Sequence, residues 1–179
     1  MQPDWPIETE RLVIRPYIED DLDGLYALQS DPEVVRYLYE EPRTRPETRE
    51  SLQRKMQSAV EQEGDWLSAA VTLDGAFVGD AAFHWVSEKH KTAEVGYMID
   101  PRYQGRGFAT EATRPFVDWA FAQGFHRVLG RIEARNVASG RVLEKLGMRQ
   151  EAHFVENEWV KGEWQSEIVY AILDREWQR

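Results

Sequence analysis

The chain contains no cysteine, which excludes disulfide bridges and thiolate metal sites. It has no apolar run of membrane-spanning length. Its first residues, Met1-Gln-Pro-Asp-Trp5, lack a basic region followed by an apolar one, so the cytoplasm is the expected location. Basic residues are the minority among the charges: 22 Lys and Arg stand against 32 Asp and Glu, a net charge of −10. General binding to nucleic acid or to an anionic membrane needs a basic face, and this balance argues against both. An anionic cofactor must therefore find locally arranged donors, whereas a basic or amine-bearing substrate would be drawn by the overall field. On charge alone, acidity that merely aids solubility is the favoured reading. Internal repeats, low-complexity tracts and dividing linkers are also missing. What is there, 42% hydrophobic and 30% charged residues over 179 positions, is the composition of one globular domain spanning 1–179.

Near alternation of apolar and polar side chains over 9–16 predicts a half-buried first strand. The spacing of Leu22, Leu25, Tyr26 and Leu28 predicts a helix over 19–30, with Asp20 and Asp21 placed at its N-terminus. A short helix follows Asp31-Pro32. A longer, charged helix is expected over 46–63, opened by Pro46 and capped by Gly64. Segments 66–73 and 76–87 read as a hairpin about Asp74-Gly75, and 92–99 as the next strand. Residues 110–123 read as a helix with Pro115 about a turn inside it and Gly124 as its stop. A strand over 126–134, a helix over 137–146 ending at Gly147, and a hairpin of 148–159 with 163–173 about Lys161-Gly162 complete the order. Antiparallel hairpins joined by helical crossovers imply a mixed sheet with helices on its faces.

Between the strand at 92–99 and the helix from Thr110 lies Gln104-Gly105-Arg106-Gly107-Phe108-Ala109. Glycines at a helix N-terminus free the backbone N–H groups to approach a ligand, and the helix macrodipole is positive there, so the loop suits a phosphate or pyrophosphate. A nucleotide-triphosphate loop needs Gly-Lys-Ser/Thr after its glycines, and none follows. A dinucleotide fingerprint needs Gly or Ala where Thr110 stands and glycines directly after the strand, but Pro101-Arg-Tyr-Gln104 intervenes. The residues alone leave a glycine-rich helix entry with no ligand, or a pyrophosphate loop of another kind.

The run Gln104-Gly-Arg-Gly107-Phe-Ala109 resembles the coenzyme A loop of the GNAT superfamily of N-acetyltransferases, Gln/Arg-x-x-Gly-x-Gly/Ala, at every defined position. Asn136-Val-Ala-Ser139-Gly-Arg-Val-Leu143-Glu-Lys145-Leu-Gly147-Met148 is similar to the second motif of that family. Glu8-Thr-Glu-Arg-Leu-Val-Ile-Arg-Pro16 and Ala93-Glu-Val-Gly-Tyr97 resemble the branch of the ribosomal-protein alanine N-acetyltransferases RimJ and RimL. The order of elements matches over nearly the whole chain. The resemblance implies an α+β fold with a mixed, mostly antiparallel seven-stranded sheet, helices on both faces, and a splay between the fourth and fifth strands.

It also implies acetyl-CoA as co-substrate, with no metal, and acetyl transfer to a primary amine, a protein or peptide N-terminus being favoured. A small amine such as a polyamine or aminoglycoside, and a non-catalytic CoA-binding regulator, are the alternatives. Residues Gln104 to Thr110 would hold the pyrophosphate, with Arg102 and Arg106 near enough to add charge. The strand ending Tyr97-Met98-Ile99 would pair its backbone with the pantetheine arm, a backbone N–H near Met98 polarising the thioester oxygen. Asn136 reads as a helix N-cap in any case, with pantetheine contact added by the resemblance. Lys145 either reaches the nucleotide end or complements the helix dipole.

Many members of the superfamily carry a thiolate-protonating tyrosine where this chain has Leu143. Ser139, on the same helix face, is the available hydroxyl. Glu94 is placed like the general base of some acetyltransferases; His84, His90 or a water relay are the alternatives. Trp85, Trp159 and Trp164 are expected near an acceptor cleft, and Trp66, Trp119 and Trp177 in packing roles. The terminal hairpin could pair with a second copy in a homodimer.

Overall fold

The computed structural model describes residues 1–177. Its elements are β1 (Ile7–Glu8), β2 (Val13–Arg15), α1 (Leu22–Gln29), α2 (Pro32–Val35), α3 (Arg45–Met56), β3 (Trp66–Leu73), β4 (Ala76–Ser87), β5 (Thr92–Ile99), α4 (Phe108–Ala122), β6 (Arg127–Glu133), α5 (Val137–Lys145), β7 (Arg149–Val160) and β8 (Glu163–Leu173). All strands join one sheet in the order β1-β2-β3-β4-β5-β6-β8-β7. Every neighbouring pair is antiparallel except β5 and β6. No helix among the described residues is long and apolar enough to cross a membrane.

The sheet has eight strands where the resemblance implies seven. The Thr9 backbone N–H donates to the Leu12 carbonyl at 2.9 Å and Thr9 Oγ1 accepts from the Leu12 N–H at 3.0 Å. These bonds turn 9–12 into a tight connection, so the expected single strand becomes the short β1–β2 hairpin. The β3–β4 turn is as expected: Asp74 and Gly75 have φ of 49° and 80°, the positive pair that matches the twist of a two-residue hairpin.

The helix expected over 46–63 stops at Met56. Its N-terminus is fixed by Thr44 and Glu47, whose side chain accepts from the Thr44 N–H at 2.8 Å. Beyond Met56, Ser58 Oγ accepts from the Ser68 N–H at 3.0 Å, and Val60 is fully buried in the main core. Tertiary packing thus overrides helix propensity. Gly64 caps nothing; its N–H donates to the Trp85 carbonyl at 2.8 Å.

Strand alternation divides the interior. Leu67, Ala69, Val71, Ala81, Phe83, Ala93, Val95, Ile99 and Val128 form the main core with Phe108, Ala112, Phe116 and Ala120 of α4. On the opposite face Tyr17, Leu22, Leu25, Leu52 and Ala70 form a smaller cluster under α1 and α3. Sheet residues of that second face which escape the helices, Ser68, Asp80, His84 and Glu94 among them, line one side of the candidate site.

Candidate functional site

The parallel β5–β6 pairing is brief: Thr92, Ala93 and Glu94 pair with Arg127, Val128 and Leu129, and no strand pairs that side of β5 from Val95 to Ile99. From Gly130 on, β6 stays with β8 and parts from β5. A cavity of about 510 Å³ fills the splay, with Glu94 to Met98 on one wall and Gly130 to Glu133 on the other. It adjoins a second cavity of about 640 Å³ beneath α3, Lys55, Trp66, Ser68 and Met98 lying in the walls of both.

Glu94, expected as a base, lines the chamber. Its carboxylate is 3.7 Å from His84 Nδ1 and 3.8 Å from Arg131 Nε. The antiparallel register places His84 opposite Glu94, and Trp66 opposite His84. The Trp66 and His84 rings stack at 4.2 Å, which fixes the imidazole plane. His84 Nδ1 is buried without a hydrogen-bond partner among the described residues. His90 is exposed in the β4–β5 turn and does not line the chamber.

Further carboxylates reach the same space from β7 and β8. Burial pushes the Glu167 carboxyl up; the negative charges of Glu158 and Glu94 add to this and Arg131 opposes it. Tyr39, on the segment after α2, donates to Glu158 at 2.6 Å, and Lys161 Nζ donates to the Val35 carbonyl at 2.7 Å, so that segment is tied across to the last hairpin. On the chamber floor Lys55 Nζ donates to Asp80 at 2.8 Å and Ser68 Oγ at 3.3 Å, and the buried Tyr17 phenol also donates to Asp80. Burial and then the Asp80 charge raise the ionisation of Tyr17 well above its ordinary range.

Asn136 caps α5 as expected, its Oδ1 accepting from the Ser139 N–H at 3.1 Å. Asn136, Ser139 and Leu143 all line the chamber. Ser139 Oγ lies 2.8 Å from the Tyr97 phenol, and Tyr97 reaches the Ser139 carbonyl at the same distance. Burial pushes the Tyr97 phenol up to about 12, although the Ser139 hydrogen bond pulls the other way. Leu143 is fully buried and presses on Gly130, where a Cβ would stand 2.7 Å from Leu143 Cδ2, so it fills space against β6.

The glycine loop lies beyond the end of β5, at the head of α4. Gly105 and Gly107 adopt φ of 74° and 84°, a left-handed backbone that glycine adopts without strain, and a Cβ at Gly105 would meet nothing within 4 Å. The loop is therefore open toward solvent and suits a bulky anion. Side chains play a smaller part in it. Gln104 Nε2 donates to the Ile99 carbonyl at 2.8 Å, tying the loop to the strand end. The Phe108 ring is buried in the core, so its side chain does not enter the loop. Arg106 is exposed, while Arg102 is clasped by Asp100 at 2.6 Å and holds that carboxyl below its ordinary range. Thr110 and Ala109 are half-buried in the first turn of α4. Lys145 is exposed in the last turn of α5, without an ion pair among the described residues.

Arg11 clamps this loop. Glu111 in the first turn of α4 accepts from Thr9 Oγ1 at 2.7 Å, the Arg11 N–H at 2.8 Å and Arg11 Nε at 2.8 Å. Arg11 Nη1 in turn donates to the Arg106 carbonyl at 3.0 Å, and its guanidinium lies over the Phe108 ring at 4.6 Å. Burial pulls the Glu111 carboxyl upward, but these hydrogen bonds outweigh it and hold the carboxyl below its ordinary range.

The tryptophans redistribute. Trp66, expected in packing, lines the chamber; Trp85 packs edge-on against Phe125, and Trp159 and Trp164 form an exposed pair 5.3 Å apart on the last hairpin. Arg11, Lys55, Asp80, Glu158 and the side chain of Tyr97 are among the groups that sequence reasoning leaves without a role. Asp80, a lone acid inside the apolar run of β4, and Arg11, inside a quoted motif, were the available signals.

The family described as Acetyltransferase (GNAT) domain matches residues 11–149. An uncharacterized N-acetyltransferase, YnaD of Bacillus subtilis, is 29% identical over 172 residues, 96% of this chain and 98% of that protein. Spermidine N(1)-acetyltransferase of Escherichia coli is 24% identical over 166 residues, 92% of this chain and 87% of that protein. A GNAT-family acetyltransferase from Bacillus anthracis superimposes with a TM-score of 0.86 at 32% identity, covering 96% of this chain and 99% of that one. The coenzyme A complex of RimL, a ribosomal L7/L12 α-N-protein acetyltransferase, superimposes at 0.79 with 19% identity, covering 92% and 95%, a likeness of fold. Its motifs, its splayed sheet and these relatives agree: the chain belongs to the GNAT family of acetyltransferases.

Proposed function

We propose that this protein transfers the acetyl group of acetyl-CoA to a primary amine presented from the α1–α3 face of the sheet. The observation that carries the reading is the splay itself. It gives one cavity in which Ser139 stands on the α5 side and Glu94 with His84 on the other. The open backbone of Gly105 and Gly107, with the main chain of Gln104 to Thr110, suits the pyrophosphate. The unpaired side of β5 at Met98 and Ile99 suits an amide-bearing arm, which would complete the sheet edge as a peptide does. Asn136 would contact that arm and Lys145 the nucleotide end.

In this reading a main-chain N–H near Met98 polarises the thioester carbonyl. Glu94, directly or through His84, takes the proton that the amine nitrogen loses on attack. Ser139 donates a hydrogen bond to the departing sulfur. A free α-amino group is partly neutral near pH 7, which favours a peptide N-terminus as nucleophile. A small polycationic amine is a second reading, favoured by Glu94, Glu158 and Glu167 around the single Arg131 and by the spermidine-acetylating relative.

The test is thiol release from acetyl-CoA against free-amine peptides, their N-terminally blocked forms, and spermidine. Turnover of free but not blocked peptides is expected. Turnover confined to spermidine transfers the assignment to the second reading, and no release with any amine removes both.

A further inference from the structure

The Tyr97 phenol stands 2.8 Å from two oxygens of one residue, the carbonyl and the Oγ of Ser139. A carbonyl only accepts, so that contact takes the single Tyr97 proton, and Ser139 must then donate its own proton to the phenol oxygen. In that arrangement the Ser139 hydroxyl offers nothing to the chamber. In the alternative, Tyr97 donates to Ser139 Oγ, and the Ser139 proton turns to a third partner. The heavy atoms need not move between the two. The Ser139 carbonyl lies inside α5, where the helical bond from Leu143 satisfies it by position, so releasing the phenol orphans no acceptor.

The second arrangement gains when the third partner is an anion, because a charge-assisted hydrogen bond is roughly twice as strong as a neutral one. The setting of Tyr97 suits this use. Strand alternation turns it to the α4–α5 face with Ala93, Val95 and Ile99, at the level where β6 has parted from β5. The other phenol beside α5, Tyr170, faces Glu144 at 3.4 Å. Leu143 carries no proton to give.

We propose that Tyr97 is a positioning residue: by donating to Ser139 Oγ it turns the Ser139 hydroxyl into a hydrogen-bond donor for the departing thiolate. The inference rests on the N-acetyltransferase reading above. The nitrogen–carbon bond forms and the carbon–sulfur bond breaks, with the electron pair leaving on sulfur. The proton lost by nitrogen goes to the base on the opposite face, and the thiolate takes a proton from solvent after release. Tyr97 and Ser139 keep theirs. Burial holds the Tyr97 phenol near 12, whereas an ordinary thiol ionises near ~8.5, so stabilisation by hydrogen bonding is favoured over net protonation by the phenol.

The test is a double-mutant cycle of Tyr97→Phe and Ser139→Ala, read as kcat and as KM for acetyl-CoA. The acceptor is whichever of an alanyl peptide and spermidine the wild type uses faster, and thermal midpoints monitor folding. Tyr97→Phe is expected to lower kcat about tenfold, the worth of one hydrogen bond, with KM within about twofold. The double variant should be no slower than Ser139→Ala alone, since Tyr97 acts through Ser139. Wild-type kcat in Tyr97→Phe overturns the proposal, as does a double variant slowed by the product of the single effects. Wild-type kcat in Ser139→Ala overturns it independently of any Tyr97 variant. If the wild type turns over and Tyr97→Phe matches it, only this proposal falls; if the wild type turns over nothing, the acetyltransferase reading falls with it.

Discussion

Glu111→Gln separates the Arg11 clamp from the rest of the loop chemistry. The native carboxylate, 14% exposed, accepts two bonds on Oε1 and the Arg11 guanidinium on Oε2. Glutamine keeps an acceptor for Thr9 and the Arg11 N–H but turns an amide toward the guanidinium. Losing charge assistance on two hydrogen bonds costs about 1 kcal/mol. The ion pair contributes at most about 0.5–1 kcal/mol, discounted because Arg11 is 42% exposed. Loss of a negative charge in the first turn of α4 adds about 0.3–0.5 kcal/mol. The sum is about 2 kcal/mol, or roughly 4–8 °C in thermal midpoint for a chain of this size. Because the folded carboxyl is held below its ordinary range, its contribution is complete above about pH 5 and fades as pH falls through the folded value. The difference between wild type and variant should therefore close in acid. Freed from Glu111, Arg11 no longer holds the Arg106 carbonyl, and KM for acetyl-CoA should rise about threefold or more with kcat little changed. Removing a negative charge beside an anion site would by itself tighten binding, so a raised KM reports the loop. Unchanged midpoint and unchanged or lower KM refute the clamp.

Gly107→Trp places a bulky side chain on a residue at φ 84°, and calorimetry with acetyl-CoA should show binding abolished; undiminished binding removes the loop assignment. Lys55→Met leaves the buried Asp80 with Tyr17 but without its cation, and should cost about 3 kcal/mol, read as a lower denaturant midpoint. Stability unchanged within about 0.5 kcal/mol would show that Tyr17 suffices to hold Asp80. Glu94→Gln should lower kcat by about a hundredfold or more if Glu94 takes the amine proton, and His84→Gln by less. The reverse order, measured at saturating acetyl-CoA, assigns the proton to His84.

Local rules carried the hairpins, because Asp74-Gly75 and Lys161-Gly162 encode their turns in adjacent residues, and the helix cap at Asn136 for the same reason. The splay was legible only through resemblance: nothing in Val95 to Ile99 announces that β6 leaves after Glu94. The helix over 46–63 ran too long because its charged pattern is blind to Val60, whose place in the core is a tertiary fact. Tyr97 and Ser139 are 42 positions apart and meet only once β5 and α5 are docked, so the shared hydroxyl contact has no linear signature. Trp66 shows the converse. As the first residue of a strand it reads as a packing aromatic, and only the register that sets it against His84 brings it to the chamber.

Strand alternation also explains why the two halves of the chemistry can coexist. On β5, Glu94 and Tyr97 are separated by an odd number of positions and so face opposite sides of the sheet. An intact sheet would have isolated the base from the sulfur-facing hydroxyl and from a common substrate. The break between β5 and β6 removes the wall at the level of Val95 to Met98, so groups from both faces line one cavity while the strand keeps them apart. The consequence is testable at Gly130, the residue where β6 departs. A Cβ there would stand 2.7 and 2.8 Å from the two Leu143 methyls and 3.3 Å from its Cγ, so Leu143 must shift and the packing of α5 on β6 with it. Gly130→Ala should therefore displace Ser139 from Tyr97 and slow turnover, while the Glu94–His84 side of the chamber, carried by β4 and β5, keeps its geometry. The crystal structure of the variant checks both halves: a Ser139–Tyr97 contact still at hydrogen-bond distance with full activity would show that α5 is not the element that sets the sulfur side.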